Sequence, residues 1–229
     1  MTRDAGQTSP AAVLFDMDGT LVDSEKLWTI ALDDYARHRG GALTDATREA
    51  MVGSNMTRSM RMLLADAGIP DTDAEVDAAA QWVTARMEEL FERGLPWRPG
   101  AQEALREARE LGIPTALVTS TIRSLTELAL ETLGRGSFDL TVCGDEVDGK
   151  NKPDPEPYLK AARLLGVDPA DCVAIEDSPT GVASAEAAGC LVIAIPCEVP
   201  LQPGPHRVLR DSLADVDFAA LGELFVRAA

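Results

Sequence analysis

The sequence predicts an α/β fold: a doubly wound, parallel-sheet (Rossmann-like) core with an inserted all-helical cap domain. Three observations predict it: short apolar runs, helical patterns alternating with the later runs, and one long stretch that offers helices and no strand. Strands buried on both faces read as unbroken apolar runs, and five of these, at 11–15, 115–118, 138–142, 172–175 and 191–195, are bounded by turn residues. Residues 100–111 carry Ala101, Ala104, Leu105, Ala108 and Leu111 at helical spacing, and 122–133, 156–165 and 180–188 repeat the pattern. Gly112, Gly134, Gly166 and Gly189 each follow one of these helices, where a left-handed terminating residue is favoured. Strand and helix alternating at this range indicate a parallel sheet covered on both faces.

The alternation fails between about Ser24 and Leu95. There Leu27, Trp28, Ala31, Leu32 and Tyr35 line one helical face, Met56, Met60, Leu63 and Leu64 a second, and Val76, Ala80, Val83, Met87 and Leu90 a third. Three apolar stripes can form a bundle's own core. Residues 24–95 therefore read as a helical cap, inserted into a discontinuous core of 11–23 and 96–229 behind a flexible leader at 1–10. Asp23 to Glu25 and Pro96 to Pro99 are the expected hinges.

Composition removes whole classes of function. The 229 residues hold 38 acidic against 21 basic side chains, a net charge of −17, which argues against nucleic acid or an anionic membrane as partner. An apolar fraction of 45% is that of a globular chain, and no apolar run is long enough to span a bilayer. Met1 to Pro10 lack an apolar signal-peptide region, so a cytoplasmic location is expected. Cys143, Cys172, Cys190 and Cys197 have no C-x-x-C spacing and read as buried free thiols rather than a zinc or disulfide site. His38 and His206 are the only histidines, His38 at a helix end, so acid–base chemistry is expected from carboxylates.

Carboxylates gather where strands end. The first run closes on Asp16-Met17-Asp18-Gly19-Thr20, at the edge where open α/β sheets place their ligands. Extended backbone would put Asp16 and Asp18 on one side, close enough to repel without a cation. Alone, that pair would also suit a solvated turn. The fourth run decides otherwise by bringing Glu176 and Asp177, followed by Ser178, to the same edge. Four carboxylates and an all-oxygen donor set favour Mg²⁺ over zinc. Thr119 and Ser120 follow the second run and offer hydroxyls and amides at a helix start, an anion cradle. Lys152, stiffened by Pro153 and Pro155, supplies a cation from the third loop. Such a set suits phosphoryl transfer, which is largely positioning and neutralisation of oxygens.

In order and spacing these four strand ends resemble the motifs of the haloacid dehalogenase superfamily, and most nearly its sugar-phosphate branch of beta-phosphoglucomutases and hexose phosphatases. The resemblance covers residues 11 to about 195 and includes a helical insert after the first motif. It implies that Asp16 attacks phosphorus and that Asp18 serves as general acid and then base. It further implies that Mg²⁺ is held by Asp16, the Asp18 carbonyl and Asp177, with Glu176 in its shell, and that Thr119, the Ser120 amide and Lys152 bind the phosphoryl group. The pair Asp16 and Asp18 argues against a dehalogenase, since those enzymes resemble the family without the second aspartate. Specificity would come from the cap. Mutases of the branch usually carry a histidine where this chain has Trp28, with Met56 and Met87 near their phosphate-gripping arginine and lysine positions. Trp28 and Arg58 are the candidate substrate-facing cap residues. The expected function is a Mg²⁺-dependent phosphatase of a small phosphorylated metabolite, with a sugar phosphomutase, or a non-catalytic binder on the same fold, as the alternatives.

Overall fold

A six-stranded sheet in the order β3-β2-β1-β4-β5-β6, parallel throughout, organises the computed structural model, which describes residues 9–51 and 54–222. The strands are β1 (Ala12–Phe15), β2 (Thr115–Val118), β3 (Leu140–Val142), β4 (Cys172–Glu176), β5 (Leu191–Ala194) and β6 (Arg207–Leu209). Alternate residues along them feed two separate cores, which is why the apolar runs are unbroken. Val13, Phe15, Leu117, Val173, Ile175 and Ile193 face one core, with helices α5 (Ala101–Glu110) and α6 (Arg123–Leu133). Ala12, Leu14, Ala116, Val118, Ala174 and Val192 face the other, with α7 (Glu156–Leu165) and α8 (Pro179–Ala188). Phe15 lies between Phe138, edge-on at 6.4 Å, and Phe218, stacked at 6.2 Å.

Between β1 and α5 the chain forms α1 (Glu25–His38), α2 (Asp45–Met51), α3 (Met56–Asp66) and α4 (Asp73–Phe91). Asn55 caps α3 by accepting from the Arg58 amide, and Thr72 caps α4 by accepting from the Glu75 amide. Leu32, Tyr35, Met60, Leu63, Leu64, Val83 and Met87 fill the space between these helices and are continuous with the first sheet core. The outgoing and returning segments touch as a short antiparallel pair, with the Asp23 amide donating to Pro96 (2.8 Å) and the Arg98 amide to Leu21 (2.9 Å).

Four expectations need correction. The third strand starts at Leu140, not Phe138, because Phe138 is spent on the core packing against Phe15. The edge strand β6 has no apolar run, since all three of its residues are only half-buried. Helix α2 is short and buries only Met51, too little to leave a periodic stripe. Cys197, unlike the buried Cys143, Cys172 and Cys190, is half-buried, and all four are free. The leader expected at 1–10 falls, except for Ser9 and Pro10, outside the described residues. Among the described residues no helix is long and apolar enough to cross a membrane.

Candidate active site

Register brings the strand ends level. Phe15 pairs with Leu117 and with Ile175, so the residues leaving β1, β2 and β4 emerge side by side. Asp16, Glu176, Asp177 and Lys152 meet there, all nearly inaccessible to solvent. The three carboxylates offer oxygens within 4.8 Å of one another.

Lys152 uses all three ammonium protons. It donates to Asp16 Oδ1 (2.6 Å), Glu176 Oε1 (2.6 Å) and the Val118 carbonyl (2.9 Å). Burial alone would lower its pKa, but Asp16 and Glu176 outweigh that and raise it, so the charge stays. Glu176 is saturated as well. Besides Lys152 it accepts from Tyr158 Oη (2.6 Å), the Asp177 amide (3.2 Å) and Ser178 Oγ (3.3 Å). Its place is thus to anchor Lys152 from beneath. Gly181 makes room for it, since a Cβ there would stand 2.0 Å from its oxygens.

Asp16 and Asp177 are less satisfied. Burial pushes Asp16 up to about 7 despite Lys152, with Glu176 and Asp18 adding to the rise. Burial also raises Asp177 well above the carboxylate range, followed by repulsion from Asp16 and Glu176. Asp177 Oδ2 is buried with no hydrogen-bond partner. One ammonium cannot compensate three packed carboxylates, and an orphaned buried oxygen beside them is what a hard divalent cation would satisfy. The donor set therefore fits Mg²⁺. Gly19 is required by the same crowding: at φ +80° it passes so close that a Cβ would stand 2.1 Å from Asp177 Oδ2.

Asp18 turns away from this cluster. Its Oδ1 accepts from Ser24 Oγ (2.5 Å) and Trp28 Nε1 (3.2 Å), both at the start of α1, and its Oδ2 from Thr121 Oγ1 (2.7 Å) and Thr119 Oγ1 (3.3 Å). The carboxylate is held between α1 and the β2 loop. Thr119, expected to face an anion directly, instead spends its hydroxyl on Asp18, while Ser120 faces the cleft with a buried hydroxyl that has no partner.

The cleft over these groups is partly open to solvent and is lined both by the strand ends and by the helices between β1 and α5. Asp16, Asp18, Lys152 and Asp177 form its floor, and Trp28, Leu32, Met51 and Met56 form walls from the helices between β1 and α5. Glu25 lines it too, its carboxyl pushed up to about 8 by burial and then by Asp18, Glu198 and Asp16. Trp28 reaches the cleft. Arg58 does not: it is exposed on α3 and absent from the cleft lining. The arginine that does line the cleft is Arg48 of α2, which no motif or periodic stripe marks. Ser24 and Tyr158 were equally unmarked, because their residue types are unremarkable locally.

Residues 10–189 match the haloacid dehalogenase-like hydrolase family. The chain is 35% identical over 190 residues to hexitol phosphatase A of Escherichia coli K12, covering 82% of this chain and 84% of that protein. It is 33% identical over 216 residues to hexitol phosphatase B of the same organism, covering 93% of each. Its fold superposes on that of beta-phosphoglucomutase from Clostridium difficile with a TM-score of 0.82 at 21% identity, over 95% of this chain and 98% of the other.

Proposed function

The chain belongs to the haloacid dehalogenase-like hydrolases, and on that premise we propose that it is a Mg²⁺-dependent phosphatase of a small sugar or polyol phosphate, acting through an aspartyl phosphate on Asp16. The observation that carries this reading is the setting of Asp16, a buried carboxylate on the floor of the cleft with one oxygen tied to Lys152. The other oxygen is the nucleophile. Its attack forms the Asp16 O–P bond as the ester P–O bond breaks, and Asp18 gives the leaving alkoxide its proton. Water then attacks the aspartyl phosphate, Asp18 takes up the proton, and Asp16 is regenerated with release of inorganic phosphate. Lys152 neutralises charge beside the attacking carboxylate, and Ser120 offers its unpartnered hydroxyl to the phosphoryl oxygens. Asp16, Asp177 and the Asp18 carbonyl would hold Mg²⁺, which when bound supplies the positive charge that draws phosphoryl oxygens to an acidic pocket.

In this reading residues 24–95 are a cap over a catalytic core formed by 11–23 and 96–229, and the paired Asp23 and Pro96 backbones are its hinge. The test is phosphate release from a panel of sugar and polyol phosphates, in Mg²⁺ and in EDTA, with wild type and Asp16→Asn. Turnover confined to wild type in Mg²⁺ is the expected result. Metal-independent turnover or an active Asp16→Asn would overturn it, and isomer formation outpacing phosphate release would indicate a mutase.

A further inference from the structure

We propose that Arg48, braced by Asp33, reads the end of the substrate remote from the phosphate, and that it reads a neutral hydroxyl rather than a second phosphate. The inference rests on the phosphatase reading and specifies what that site accepts.

Arg48 stands on α2 and lines the same cleft as Asp16 and Asp18. Its Nη2 donates to Asp33 Oδ1 of α1 at 2.9 Å, an ion pair that tethers the guanidinium to α1. Its Nη1 is buried and, among the described residues, has no hydrogen-bond partner. A buried guanidinium nitrogen without an acceptor is a costly arrangement for a chain to keep unless something else supplies the acceptor. The cleft is where that acceptor would come from.

Charge decides its kind. Arg48 is already paired with Asp33, and Lys152 with Asp16 and Glu176. The cleft lining holds five carboxylates, those of Asp16, Asp18, Glu25, Asp177 and Glu198, against these two cations. One phosphate can be neutralised at the reacting centre by a metal. A second, at the Arg48 end, would bring up to two further negative charges with no uncompensated cation to meet them. A hydroxyl brings none, and it accepts from Nη1 while donating elsewhere. Ser54 and Ser59, which also line the cleft, suit the same partner: their hydroxyls bond each other at 2.5 Å, leaving one proton and several lone pairs for a neighbouring hydroxyl. Leu32, Met51 and Met56 supply an apolar wall for the carbon chain between the two ends. The substrate class this describes is a monophosphate of a polyhydroxylated chain.

The experiment compares sorbitol 6-phosphate with phenyl phosphate, which has no hydroxyl at the remote end, for wild type and Arg48→Gln. Losing a charge-assisted hydrogen bond should lower the ratio of the two kcat/KM values about tenfold to a hundredfold. An unchanged ratio would overturn the proposal, whether both values fall together or neither moves. Asp33→Asn leaves Arg48 in place but uncompensated, so inhibition by glucose 1,6-bisphosphate should tighten relative to wild type. Hydrolysis of glucose 1,6-bisphosphate by wild type in preference to sorbitol 6-phosphate would refute the hydroxyl assignment. If wild type hydrolyses none of these esters, the phosphatase reading fails by itself. Calorimetric binding of sorbitol 6-phosphate in Mg²⁺ to Asp16→Asn and to Asp16→Asn/Arg48→Gln still decides the role of Arg48, equal affinities counting against it.

Discussion

Replacing Lys152 by methionine keeps the length and apolar stem of the side chain and removes only the ammonium. Three acceptors then lose their shared donor at once: Asp16 Oδ1, Glu176 Oε1 and the Val118 carbonyl. Glu176 retains Tyr158, the Asp177 amide and Ser178, but Asp16 loses its ion pair. Breaking a buried ion pair from one side costs about 3–5 kcal/mol. For a chain of this size that corresponds to a fall in Tm of about 6–20 °C. The loss should depend on pH, and its sign follows from Asp16. Its folded pKa, about 7, lies above the unfolded value of 3.8, so the stability it contributes is fully present below 3.8 and is lost as pH rises through 7. Without Lys152 that window moves upward, because the folded carboxyl holds its proton to higher pH. Protonated Asp16 tolerates the missing ammonium, whereas ionised Asp16 does not. The variant should therefore trail wild type by less at pH 6 than at pH 8. Thermal unfolding in EDTA at the two values, followed by circular dichroism, reads both quantities. A drop below about 1 kcal/mol, the scale of an exposed ion pair, or a difference that widens toward acid, would refute the reasoning.

Three other predictions follow from the same geometry. Trp28→Phe removes the indole N–H that α1 lends to Asp18 while keeping most of the ring; kcat should fall about tenfold to a hundredfold with KM little moved, as for loss of one hydrogen bond to a carboxylate, and a rise in KM alone would place Trp28 against the substrate instead. Gly19→Ala forces a Cβ toward Asp177 Oδ2 from a positive φ, so Mg²⁺ affinity measured by calorimetry should drop at least tenfold alongside a loss of stability; unchanged affinity would show that the loop yields freely. In the proposed site protons would compete with Mg²⁺ for Asp16 and Asp177, whose pKa values burial raises, and the neighbouring Glu25 near 8 adds its own, so the Tm increase on adding Mg²⁺ should be larger at pH 8 than at pH 6. An increase independent of pH would place the metal away from these carboxylates.

The sequence by itself determined five of the six strands and the floor of the cleft. Burial on two faces forces unbroken apolar strands, and a ligand edge at the strand ends forces polar residues immediately after them, so both signals are local. Asp16, Asp18, Ser120, Lys152, Glu176 and Asp177 could be named because each stands within a few residues of such an end or of its connecting loop. Only the tertiary structure decided how those groups divide their hydrogen bonds. It sets Glu176 under Lys152 rather than leaving it free, turns Thr119 toward Asp18, and leaves Asp177 Oδ2 without a partner. It also decided which residues of α1 to α4 look into the cleft. Arg48 and Arg58 are alike in sequence, each an arginine on a short helix, yet one lines the cleft and the other faces solvent. That choice depends on how α1 to α4 pack on one another and on the returning chain. Helical periodicity specifies which face of a helix is apolar, and carries nothing about which neighbour's polar face a side chain at its margin will meet.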